Sequence, residues 1–240
     1  MEPGWSDRDE ALAAGVVALA RTEMLCRPIA LAGFMGVGKT TLGRRLAELL
    51  DRPFYDTDRY VEETCGRDVD GFFAAGEESE FRRLEAEAVA ELTARGPAVI
   101  ALGGGALLSP PSRLLLRERS LLVHLHVPWG QLRERLAELA ASRPLLRGRS
   151  MIEIHQLYLR RLATYRTAPL RVTVGRADPA AAATALLDAL RALEVGPGFG
   201  APVPSRSPAA EWPAPAPFQV AIRWPGPNRA GASRRDGPAP

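Results

Sequence analysis

The 31 basic residues of this 240-residue chain include a single lysine, Lys39; every other is an arginine. As solvated surface charges the two types are interchangeable, but not where a compact ammonium on a flexible stem must fit beneath a phosphate. Lys39 sits in Gly33-Phe34-Met35-Gly36-Val37-Gly38-Lys39-Thr40, which satisfies G-x-x-x-x-G-K-[ST]. A short apolar run, Ile29 to Ala32, precedes the motif, and Leu42, Leu46, Leu49 and Leu50 follow at helical spacing, so the glycines fall between a strand and a helix. In that setting glycine lets successive backbone N–H groups turn inward toward the β- and γ-phosphates of ATP, and the helix points its positive end at the same anions. Lys39 is then placed to bridge β- and γ-oxygens as charge shifts, and the Thr40 hydroxyl to bind Mg²⁺. The phosphate contacts expected are Gly33, Gly36, Val37, Gly38, Lys39, Thr40 and Thr41.

A second apolar strand ending in an aspartate commonly completes the magnesium shell. Here Val99-Ile100-Ala101-Leu102 runs directly into Gly103-Gly104-Gly105 with no carboxylate between. The nearest substitute is Asp56, at the end of a short strand through Phe54 and Tyr55, acting on the metal through water. Asp58 stands two residues on; if strand geometry holds there, both carboxylates share one face, one toward the metal and one toward a phosphoryl acceptor. His124 and His126 also share a strand face, but with no third ligand in view they read as core or rim residues. Glu77, Glu78 and Glu80 read as a charge cluster at a helix start.

The elements that must position these residues alternate between strand and helix. After the glycine-rich turn and its helix, a charged helix is expected from Glu78 to Ala94, apolar runs over Ala98–Leu102 and Leu121–Val127, and a linker at Pro110 and Pro111 between them. Helices from Trp129 to Ala141 and Ile152 to Thr167, a strand from Arg171 to Val174 and a helix from Pro179 to Leu193 complete the pattern. Several strands are continuously apolar, which predicts a parallel sheet covered on both faces. Three regions follow: a helical extension over 1–24, a kinase-like domain over 25–195, and a tail over 196–240 that holds 11 of the 21 prolines and is expected to be disordered. Met24 is a second candidate start. The formal net charge of +3 resides in that tail, with five arginines against two carboxylates, so composition supports no basic nucleic-acid groove on the folded part. No apolar run approaches the roughly 18 residues needed to span a bilayer. Cys26 and Cys65, without CxxC spacing, suggest neither a disulfide framework nor a zinc site, and the expected compartment is the cytoplasm.

Behind the glycine-rich loop and the Asp56/Asp58 pair come Glu80-Phe81-Arg82-Arg83-Leu84-Glu85, the triple glycine, Arg143-Pro144-Leu145-Leu146 and Tyr165-Arg166. In that order they closely resemble the shikimate kinase family, over about Pro28 to Leu193. The resemblance implies a three-layer α/β/α fold with a five-stranded parallel sheet in the order 2-3-1-4-5, and transfer of the γ-phosphoryl group of ATP, with Mg²⁺, to the 3-hydroxyl of shikimate. It further implies that Asp58 binds the acceptor hydroxyls and helps remove the proton, and that Arg82, steadied by Glu85, and Arg166 clamp the substrate carboxylate. Gly104 and Gly105 would supply backbone donors, and Arg143 a lid arginine that closes over the phosphates. The Gly175–Pro179 turn is the expected base pocket, and a monomer is expected. Another small-molecule kinase of this fold, for gluconate or a nucleoside monophosphate, fits the arginine and glycine set less well. A nucleotide-dependent binding module is disfavoured because every catalytic role has a candidate.

Overall fold

Four consecutive apolar residues with no polar alternation are stable as a strand only when both faces of the sheet are covered. β1 (Ile29–Ala32) meets that condition at the centre of the sheet, with all four residues buried. The computed structural model describes residues 26–139, 146, 148–175, 178–195 and 218–221. Along the chain β1 is followed by α1 (Lys39–Leu50), β2 (Phe54–Asp56), α2 (Thr57–Cys65), α3 (Val69–Ala74) and α4 (Glu78–Ala94). Then come β3 (Val99–Ala101), a 3₁₀ turn (Ala106–Leu108), α5 (Pro110–Arg119), β4 (Leu121–His126), α6 (Trp129–Leu139), α7 (Met151–Tyr165), β5 (Leu170–Thr173) and α8 (Pro179–Val195). The strands are parallel, and the first five lie in the order β2-β3-β1-β4-β5 with helices on both sides, as the resemblance implies.

After β1 the chain moves toward the β2 edge, and after β3 it moves the other way to β4. Loops that leave in opposite directions open a crevice beyond the carboxyl ends of the strands, where ligands of open α/β sheets bind. The glycine-rich loop after β1, the Asp56 corner after β2 and the triple glycine after β3 all converge there. The main core lies on both faces of the sheet. A smaller cluster of Val61, Phe72, Phe81 and Ala88 binds α2, α3 and α4 together beside the crevice.

Three sequence expectations change. Asp58 is not on a strand: β2 ends at Asp56, whose side chain accepts the Asp58 N–H at 3.2 Å as the N-cap of α2, so the two-residue repeat gives way to a helix start. The expected linker at Pro110 and Pro111 is the first turn of α5, capped by Ser109, where proline's missing N–H costs nothing. A sixth strand, β6 (Phe218–Ala221), pairs parallel with β5 inside the stretch expected to be disordered. It starts the proline-free window 218–224, in which Phe218, Val220, Ile222 and Trp224 alternate with other residues; proline elsewhere removes ladder donors. The remainder of the tail and the extension over 1–24, Met24 included, lie outside the described residues.

Candidate active site

The loop between β1 and α1 has the shape that a polyphosphate requires. Gly38 adopts φ 94° as the N-cap of α1, a left-handed conformation that a side chain would strain, and it leaves the first N–H groups of α1 at the loop. Lys39 folds back over the loop, its Nζ donating to the carbonyls of Gly33 at 2.9 Å and Phe34 at 3.2 Å. Thr40 Oγ1 donates to Asp56 Oδ2 at 2.8 Å, which ties the first turn of α1 to the end of β2. Gly36, Gly38, Lys39, Thr40, Thr41 and Asp56 line one cleft of roughly 600 Å³. A hydroxyl and a carboxylate side by side are hard oxygen donors, the set that suits Mg²⁺ shared with phosphate oxygens.

Beside this cleft lies a smaller pocket. Its apolar wall is Met35, Val69, Phe73 and Phe81; its polar wall is Asp58, Arg82, Glu85, Arg161, Gly104 and Gly105. Arg82 donates to Glu85 Oε2 at 2.7 Å and to Glu78 Oε1 at 3.1 Å, and its guanidinium lies over the Phe81 ring at 5.2 Å. A Cβ on Gly105 would fall 2.1 Å from Arg82 Nη1, so glycine is what allows the guanidinium to cross the turn. Gly103 N–H donates to the buried Thr57 hydroxyl at 2.7 Å, and Tyr165 donates to the Gly104 carbonyl at 2.7 Å. Burial pushes the Glu85 carboxyl up to about 7; the ion pair with Arg82 opposes this without cancelling it, and nearby Asp58 adds to it. Glu85 Oε1 and Arg161 Nε and Nη1 are buried without a well-formed hydrogen bond, polar capacity that a ligand in this pocket can satisfy. Asp58, Gly104, Met35 and Val69 line both cavities, so Asp58 stands where acceptor and phosphates meet.

A shikimate kinase family model matches residues 35–191. The shikimate kinase of Moorella thermoacetica is 44% identical over 165 residues, covering 68% of this chain and 94% of that enzyme. A shikimate kinase from Acinetobacter baumannii, solved in complex with shikimate, superposes at a TM-score of 0.61 with 30% identity, covering 74% of this chain and 99% of that one. The enzyme from Bacteroides thetaiotaomicron superposes at 0.63 with 31% identity, covering 69% and 98%. The chain belongs to the shikimate kinase family.

Within this family frame, most sequence-expected residues fall together: Lys39, Thr40 and Asp56 in the cleft, Arg82, Gly104 and Gly105 in the pocket, Asp58 in both. Arg166 does not. It caps the C-terminus of α7, exposed, and lines neither cavity, whereas Arg161 lies within the pocket at 4% exposure. The signal was available: Ile154, Tyr158, Arg161 and Tyr165 follow a 4-3-4 spacing, so Arg161 rides the buried stripe of an otherwise apolar helix face. Arg143 lies outside the described residues. His124 is buried with its ring tilted against Tyr165, centroids 5.4 Å apart; burial, then neighbouring His126, pushes it down to about 3, a neutral packing residue. Arg135, absent from the sequence reading, donates to the Gly175 carbonyl at 3.1 Å and joins α6 to the loop after β5.

Proposed function

We propose that this chain transfers the γ-phosphoryl group of ATP to the 3-hydroxyl of shikimate, giving shikimate 3-phosphate and ADP. The observation that carries the reading is Asp58 at the junction of a phosphate cleft and a pocket holding two guanidinium groups. Shikimate brings a carboxylate, which planar guanidinium groups bind in pairs, and vicinal hydroxyls, which a carboxylate can read. In this reading Arg82 and Arg161 hold the substrate carboxylate, Gly104 and Gly105 offer backbone donors, and Asp58 orients the attacking hydroxyl and receives its proton. The apolar wall packs against the ring.

On the nucleotide side the loop amides and Lys39 hold the phosphates, Lys39 exchanging its two backbone carbonyls for phosphate oxygens. Thr40, with Asp56 through water, would hold Mg²⁺, which supplies charge neutralisation on the β- and γ-phosphates. Arg143, in the family's Arg-Pro-Leu-Leu motif, is assigned to close over the transferring group and exclude water. Arg135 with the loop from Gly175 is the candidate edge of the base pocket. Phosphoryl transfer needs position and charge compensation more than covalent help, which this residue set provides. No helix among the described residues is long and apolar enough to cross a membrane. A cytoplasmic monomer, with residues 25–195 as the catalytic domain, completes the proposal.

The test is ADP release with Mg·ATP and, in parallel, shikimate, gluconate and nucleoside monophosphates. Turnover with shikimate alone is expected. Turnover with gluconate or a nucleotide in its place overturns the assignment.

A further inference from the structure

Tyr165, the last residue of α7, is 2% exposed, and its hydroxyl donates to the Gly104 carbonyl at 2.7 Å. A peptide unit is planar and trans, so the Gly104 C=O and the Gly105 N–H point in opposite directions. A hydroxyl that holds the carbonyl on the α7 side therefore turns the Gly105 N–H away from α7. The same glycine turn is also held where it begins, at the Leu102–Gly103 peptide, where Thr57 on α2 accepts the Gly103 N–H at 2.7 Å. Tyr165 follows Arg161 by one helical turn on the same face, and Arg161 Nη1 lies 3.1 Å from where a Cβ of Gly104 would stand. One helix face thus bears a pocket guanidinium and the donor that sets the adjoining peptide.

We propose that Tyr165 is a positioning residue for the acceptor: its hydroxyl fixes the Gly104–Gly105 peptide so that the Gly105 N–H faces the carboxylate held by Arg82 and Arg161. The proposal rests on the shikimate reading above. Burial pushes the phenol up to about 12, so the group remains a donor through the working pH range. The ring packs beside His124 independently of the hydroxyl, so removing the hydroxyl alone leaves the packing in place.

The test is steady-state kinetics of wild type, Tyr165→Phe and Tyr158→Phe, with melting temperatures. Tyr158 lies on the same helix with its hydroxyl 3.5 Å from His126 Nδ1, and serves as the control for losing a phenol. Tyr165→Phe is expected to raise KM for shikimate about tenfold while kcat and KM for ATP stay within about twofold, because one oriented donor is lost and the chemistry is untouched. Tyr158→Phe is expected to leave KM for shikimate unchanged. An unchanged shikimate KM in Tyr165→Phe overturns the proposal, as does an equal rise in both KM values or a variant that fails to fold, either of which makes the hydroxyl a stability element. An active wild type with an unaffected variant sinks this proposal alone; a wild type inert toward shikimate sinks the substrate reading with it.

Discussion

Asp58 lines both cavities, so its carboxylate is the group that can meet the attacking hydroxyl while the phosphates are bound. Asp58→Asn keeps the shape and removes the proposed base; kcat is expected to fall by roughly 10²–10⁴-fold with KM for ATP little changed, as read by steady-state kinetics. Glu85 makes a different prediction. Its buried carboxyl titrates at about 7 in the folded chain against an ordinary 4.5, so between those values the folded state binds the extra proton. Stability from this group is therefore fully present below about pH 4.5 and is lost as pH rises toward 7. Melting temperature against pH should lose that slope in Glu85→Gln; an identical slope in both proteins would refute the assignment. At this scale the sequence made the phosphate side legible, because Lys39 stands alone among arginines. For the second guanidinium it pointed to Arg166, whereas the phase of the buried face of α7 brings Arg161 to the pocket.

α7 matters because it delivers both Arg161 and Tyr165, and it begins with a capping box in which Ser150 accepts the Glu153 N–H and Glu153 reaches back to the Ser150 N–H. Ser150→Ala leaves an N-terminal N–H without its acceptor and is expected to cost about 1 kcal/mol in urea denaturation. Shikimate KM should not change, because the cap lies at the far end of the helix from the pocket. The bounds of α4, Glu78 to Ala94, were readable from composition: Glu78 and Glu80 favour the positive helix start, and Phe81, Ala88, Val89 and Leu92 return on one face. α2 and α3 were not. They are short, and their starts are set by single aspartate caps, Asp56 and Asp68, which look like turn residues until their N–H partners are known.

At the scale of the molecule, the solved relatives are almost wholly covered by about three quarters of this chain or less. The pocket residues lie on the loops after β1 and β3 and on α2, α3, α4 and α7, while β6 adds backbone pairing at the β5 edge. A version ending at residue 195 is accordingly expected to keep kcat/KM for shikimate within about threefold and to melt lower, since it gives up edge pairing remote from the crevice. A parallel sheet could be inferred from the alternation of elements, and its order only from the family resemblance. β6 was not read, because the proline-rich composition on either side outweighed the short alternating run over 218–224. The central claim is that two guanidinium groups, Arg82 and Arg161, grip one carboxylate beside Asp58. Calorimetric titration of shikimate into wild type, Arg161→Ala and Arg166→Ala tests it most directly. The account predicts binding at least roughly 30-fold weaker for Arg161→Ala, from the loss of a buried charge partner, and unchanged within about twofold for Arg166→Ala. Normal affinity in Arg161→Ala with binding lost in Arg166→Ala would contradict it.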